Sequence, residues 1–141
     1  MPVTTHWELF PHEADVGVRG VGATLAQAYE QAALAMTAAI TDILTVQPKT
    51  KIQLSCDAPD AELLLVDWLN ALVYEMATRS MLFSRFEVKL QGCHLTAQVR
   101  GEKIDVARHR PATEVKGATY TALKVAQLPD GSWLAQCVVD V

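Results

Sequence analysis

A chain of 141 residues, 50% apolar and 20% charged, has the size and composition of one domain with its own core, so we expect a single domain over residues 1–141 and neither a disordered tail nor a second core. Sixteen acidic and twelve basic side chains give a net charge of −4, the wrong sign for a general nucleic-acid binder, whose footprint is basic. The charge is unevenly spread: residues 1–78 hold three basic and ten acidic side chains, residues 79–141 nine and six.

Three cysteines, Cys56, Cys93 and Cys137, are odd in number and far apart, with no CxxC spacing, and read as buried apolar thiols in a reducing compartment. No run approaches the roughly 18 apolar residues of a membrane span, and the N-terminus lacks a basic start followed by an apolar stretch. A cytoplasmic protein with no membrane partner is the expectation.

In chain order, residues 6–10 and 15–21 read as short strands around a break at Pro11-His12-Glu13, the second weakened by Gly17, Gly20 and Gly22. Thr24, with Gln27 three residues on, opens a capping box for a helix from Leu25 to about Thr41, whose alanines suit close packing on a sheet. Ile52, Leu54 and Cys56 alternate with polar residues as a half-buried strand does.

Asp57-Ala58-Pro59-Asp60 then offers an N-cap for a second helix through about Arg79. It is apolar nearly all round except for the stripe Asp60, Asp67, Asn70 and Tyr74, so it is either sandwiched between other elements or an interface. From Leu82 the period becomes two, giving strands around Phe86–Leu90 and Leu95–Val99 with a turn at Gly92-Cys93. A polar stretch runs from Gly101 to Pro111. Two more strands, about 115–126 and 132–139, flank the turn Pro129-Asp130-Gly131. The order predicts an α+β fold, mostly antiparallel sheet covered by two main helices; a doubly wound sheet is disfavoured because the last third has no predicted helix.

Three places carry candidate chemistry. His12-Glu13-Ala14-Asp15-Val16-Gly17-Val18 puts three ionisable side chains at a strand entrance before a glycine that permits close approach of backbone or ligand, which suits Asp15 as a hard-cation ligand or general base; the same residues also suit a plain turn. Val138-Val139-Asp140-Val141 sets the Asp140 carboxylate beside an α-carboxylate where Val141 ends the chain. These are oxygen ligands that favour Ca2+, Mg2+ or Mn2+ over zinc. His109, Arg110, Glu114 and Lys116 form a charged run before an apolar strand, in which Lys116 is either a solvated edge residue or a contact for an anion such as phosphate. GxSxG, the P-loop and GxGxxG are all missing, so an enzyme acting alone is not indicated.

Taken together, the heptad His12–Val18 followed by Thr24-Leu25, the run Leu64-Leu65-Val66-Asp67-Trp68-Leu69-Asn70, Gly101-Glu102, Glu114-Val115-Lys116-Gly117-Ala118-Thr119-Tyr120 and the terminal Val138–Val141 resemble the archease family almost end to end. The resemblance implies an α+β fold built on an SHS2 module, strand-helix-strand-strand. It implies a non-catalytic accessory role beside the GTP-dependent tRNA-splicing ligase, which joins RNA 2′,3′-cyclic phosphate or 3′-phosphate ends to 5′-hydroxyl ends. In such a pairing the ligase carries the guanylylated histidine and manganese, while archease promotes guanylylation and repeated turnover in tRNA processing or RNA repair and meets RNA only through the ligase.

The positions that match the family's metal ligands are Asp15, Asp140 and Val141, implying a divalent cation, Ca2+ in structures and Mn2+ or Mg2+ in function. Lys116 matches a further position needed for activation; His12, His109 and Glu114 match motifs without an assigned role. Gly117 stands where alanine is usual, and Val141 where isoleucine is frequent. Rival readings are a structural adaptor using the second helix, an RNA-binding module using the basic region 100–124, and, weakest, a metal-dependent hydrolase.

Overall fold

The computed structural model describes residues 4–141. Strands β1 (His6–His12) and β2 (Asp15–Gly22) precede helix α1 (Leu25–Ile40); β3 (Thr50–Asp57), helix α2 (Ala61–Arg79), β4 (Met81–Gln91) and β5 (His94–Lys103) follow. A four-residue helix α3 (Val106–His109), β6 (Gly117–Ala118), β7 (Lys124–Gln127) and β8 (Trp133–Asp140) complete the chain. Every strand pairing among the described residues is antiparallel. The strands form two sheets, β1-β2-β8 with β6 and β7 both on the far edge of β8, and β3-β5-β4.

The α+β expectation holds, and β3-α2-β4-β5 has the strand-helix-strand-strand order. The arrangement differs from one sheet under two helices. α1 packs against β1, β2 and β8 on one side and β4 on the other, while α2 packs against β3, β4 and β5 and also against β6, β7 and β8. The helices are therefore a middle layer between two sheets, which is why α2 is apolar nearly all round: that surface is core and not an open interface.

Tyr29 and Trp68, both fully buried, tie the two helices together. The Tyr29 hydroxyl donates to the Ala61 carbonyl at 2.5 Å and Trp68 Nε1 donates to the Tyr29 carbonyl at 3.0 Å. Trp68 also meets Phe86 of β4 edge-on, with ring centroids 6.1 Å apart.

Local chemistry sets the element ends. Thr24 Oγ1 accepts from the Gln27 N–H at 3.1 Å, and Gln27 returns the bond to the Ala23 N–H at 2.9 Å, one residue before the reciprocal partner of a standard capping box. Asp60 caps α2 by accepting from the Leu63 N–H at 2.8 Å.

Four sequence expectations change. Pro11 does not break β1: the strand runs on to His12, because on an edge strand the missing N–H needs no partner, and the turn shrinks to Glu13-Ala14, with Glu13 at φ 55°. The strand expected over 115–126 is split into β6 and β7 by a turn in which Ala122 has φ 53° and the Leu123 N–H donates to the Tyr120 carbonyl at 3.3 Å. The polar stretch after Gly101 contains α3, capped by Asp105. Of the three thiols only Cys137 is buried; Cys56 is half-buried, and Cys93 is exposed in the β4–β5 turn.

The glycines of β2 serve packing. A Cβ on Gly20 would lie 2.1 Å from the Ala28 carbonyl oxygen and 2.3 Å from the Ala32 nitrogen, both backbone of α1. Gly20→Ala should accordingly push the helix off the sheet and cost about 3 kcal/mol, lowering the melting temperature by roughly 6–12 °C in a thermal denaturation scan.

Candidate functional site

The pairing of β2 with β8 brings the two halves of the site together from opposite ends of the chain. Val16 pairs with Val139 and Gly17 with Val138, so one further step in the same register sets Asp15 beside Asp140 on one face of the sheet. Two carboxylates directly opposite on neighbouring strands repel each other. Asp15 is half-buried and Asp140 exposed, and Asp15 Oδ1 accepts a long hydrogen bond, 3.3 Å, from the Val141 N–H.

Among the described residues no three His, Cys, Asp or Glu side chains gather as a metal-binding group. The set here offers two carboxylate side chains and backbone oxygen. Its all-oxygen chemistry, with two like charges needing neutralisation, fits a hard divalent cation and not zinc. Gly17, whose openness suggested ligand approach, is instead covered by the Phe10 ring, which a Cβ there would meet at 2.2 Å. Arg19 lies over that ring, 4.7 Å from its centroid.

Lys116 reaches the same end of the sheet from the far side of β8. Its N–H donates to the Asp140 carbonyl at 2.8 Å, and the next residue, Gly117, pairs with Asp140. Asn70 on the polar stripe of α2 holds this segment: its Oδ1 accepts from the Ala118 N–H at 2.9 Å. Exposed Glu114 and Lys116 flank buried Val115 at the rim of an apolar groove of about 610 Å3, floored by Val73, Met76, Met81 and Ile104. A second hollow of about 640 Å3, around Trp7, Leu34 and Leu44, includes neither Asp15, Asp140 nor Lys116. His12 pairs with Asp15 across the β1–β2 turn and is half-buried.

His109, which stands in the same charged run as Glu114 and Lys116 with no role assigned, belongs elsewhere. Its buried ring accepts the Asp105 N–H at Nδ1, 2.9 Å, so Nε2 carries the proton and donates to Glu102 at 3.0 Å. Glu102, also buried, accepts in addition from Arg108 Nη2 at 2.7 Å and from the Gln47 N–H at 2.7 Å.

The family model described as Archease protein family (MTH1598/TM1083) matches residues 7–141. The chain belongs to the archease family. Protein archease of Pyrococcus furiosus is 38% identical over 139 residues, covering 96% of this chain and 98% of its own. Protein archease of Methanopyrus kandleri is 37% identical, covering 96% and 99%. The solution structure of Methanobacterium thermoautotrophicum protein 1598 superposes with a TM-score of 0.84 at 32% identity, covering 96% of this chain and 98% of that one.

Within this archease fold, sequence reasoning missed two supports of the site. Asn70 was visible as part of a polar stripe and of the run Leu64–Asn70, with no role attached to it. Glu102 was read as part of a polar stretch, when it is the anchor that gathers α3 and the segment leading to Lys116 onto β5. The Glu102 position shares the outward parity of Thr96, Gln98 and Arg100, so no signal beyond the Gly101-Glu102 motif marked it.

The Arg108 guanidinium, then the Gln47 N–H, hold the Glu102 carboxyl at about 2, below its ordinary 4.5. Because the folded value is depressed, the stabilisation is fully present above about 4.5 and is lost as pH falls toward about 2. Denaturant unfolding followed from neutral pH downward should show this loss in the native protein. Glu102→Gln should start about 2–3 kcal/mol less stable at neutral pH and lack that component of the acid dependence.

Proposed function

We propose that the chain is a non-catalytic activator of a GTP-dependent RNA ligase that joins 2′,3′-cyclic phosphate or 3′-phosphate ends to 5′-hydroxyl ends in tRNA splicing or RNA repair, acting in the cytoplasm and promoting guanylylation and repeated turnover of its partner. Membership of the archease family supports the partner. The observation that carries the reading is the β2–β8 register, which opposes Asp15 and Asp140 with Lys116 joined to the same strand end.

A divalent cation there would supply concentrated positive charge to neutralise the pair and attract anionic oxygen of the ligase or its nucleotide. Asp15 and Asp140 would be its side-chain ligands, and where Val141 ends the chain its α-carboxylate would add a third oxygen donor. The Asp15–Val141 hydrogen bond draws the strand end toward the Asp15 carboxylate. Lys116, fixed through its own N–H but with an exposed side chain, offers a charge-assisted donor to phosphate or carboxylate. Among the described residues no helix is long and apolar enough to cross a membrane.

The test is a multiple-turnover ligation assay with purified ligase, GTP and Mn2+ at limiting ligase. Losing even a supporting partner of a metal ligand costs roughly 10–100-fold in metal affinity. Asp15→Ala and Asp140→Ala should therefore return the rate to that of the ligase alone while circular dichroism stays native. Lys116→Ala should lose activation with cation binding retained. Full activation by both aspartate variants would contradict the proposal. Extra residues after Val141 should weaken cation binding, and unchanged affinity would remove the α-carboxylate from the ligand set.

A further inference from the structure

The outward face of the β3-β5-β4 sheet lies opposite the face that packs on the helices, and its cross-strand rows are set by register. Lys51 pairs with Arg100, and Arg100 with Arg85, so three cations stand side by side across all three strands. Among the described residues no carboxylate lies within ion-pair distance of any of the three. Glu102, two residues beyond Arg100, is already held by Arg108, His109 and the Gln47 N–H.

The alignment depends on a β-bulge. Phe83 pairs with Gly101, so an unbroken register would set Ser84 against Arg100; the shift between Phe83 and Arg85 puts Arg85 there instead. Like charges directly opposite destabilise a sheet, so a bulge that completes such a row works against the free protein and in favour of a bound anion.

We infer that the Lys51–Arg100–Arg85 row binds the phosphate backbone of double-helical RNA. Neighbouring strands are about 4.8 Å apart, so the row spans about 10 Å, enough for two or three consecutive phosphates. The next rows add Gln53, Gln98 and Thr96, neutral donors and acceptors suited to 2′-hydroxyls, together with Glu87 and Lys89, whose charges offset each other. None of the exposed large apolar side chains lies on β3, β4 or β5. The face therefore lacks both the aromatic platforms that stack single-stranded bases and the apolar anchors that carry a protein interface. Backbone recognition without base reading is what remains. The net charge of −4 does not oppose it, since the acidic excess belongs to the first 78 residues and only Lys51 of the row comes from them.

The experiment is fluorescence anisotropy of the full chain with a labelled RNA duplex from about 50 to about 200 mM salt, with no ligase present, so its outcome is separate from that of the activation assay. The native protein should bind with an affinity that falls steeply with salt. Each of Lys51→Gln, Arg85→Gln and Arg100→Gln should lower the log–log slope by about 1, and the triple variant should bind about tenfold or more weakly at the low-salt end, while Lys124→Gln on the other sheet has no effect. A DNA duplex of the same sequence should bind several-fold more weakly. The triple variant should melt no lower than the native chain, because the substitutions relieve repulsion.

Undetectable binding at about 50 mM salt would overturn the inference, as would an unchanged triple variant, equal affinity for DNA, or displacement of the RNA by polyglutamate at equal charge. Loss of RNA binding in Lys116→Gln with the triple variant intact would place the anion contact at the other end of the molecule and overturn it too.

Discussion

The β2–β8 register is the constraint on which the rest depends. It joins strands from the two ends of the chain, forms the centre of the first sheet and decides which residues meet at the sheet's end. A slip of one residue would turn Asp15 and Asp140 to opposite faces and send Val139 and Cys137, both fully buried, toward solvent. Close packing fixes the register in both directions: Gly20 and Gly22 admit the backbone of α1 on one face, and the Phe10 ring lies over Gly17 on the other. The opposition of two carboxylates is thus imposed by the core, and a bound cation would relieve it.

Lys116 is brought to the same end by a different device. The segment from α3 to β6 is largely irregular and is secured at separate points along its length: Glu102 gathers Arg108 and His109, the Ala112 N–H donates to the Ile40 carbonyl at 2.7 Å, and Asn70 receives the Ala118 N–H. Between these points Glu114 and Lys116 remain exposed. A buried charge cluster and two hydrogen bonds therefore present a lysine that belongs to no extended strand. The second sheet is built by plain alternation, and its one irregularity, the bulge at Ser84, is what aligns its cations.

Both long helices were legible because their signals are local: Thr24 and Asp60 are caps, and apolar spacing fills the interval after each. The β4–β5 hairpin was legible from Gly92-Cys93 between alternating runs. What sequence could not show depends on long-range partners. The division into two sheets follows from helices packed on both sides, for which α2's all-round apolarity was a sign open to two meanings. The turn at Thr119–Leu123 looks like strand because its residues are apolar or β-branched; only pairing with β8 at both ends, out of step, reveals that the chain loops out there and then continues along the same edge in the same direction. Asp15, Asp140 and Lys116 were singled out by motif, but their convergence is a matter of register. His109 stood in the same charged run as Lys116, yet a carboxylate seven residues upstream claims it.

The central claim is that Asp15 and Asp140 form a repelling pair that a divalent cation neutralises. Thermal melting of the native chain and of Asp140→Asn, each titrated with Mn2+ from a metal-free start, tests it most directly. The native protein should melt higher as Mn2+ is added, the rise following RT ln(1 + [L]/Kd). Asp140→Asn, relieved of the repulsion, should melt higher than the native protein without metal and respond little to it. A variant that melts no higher without metal and keeps the full Mn2+ response would contradict the claim.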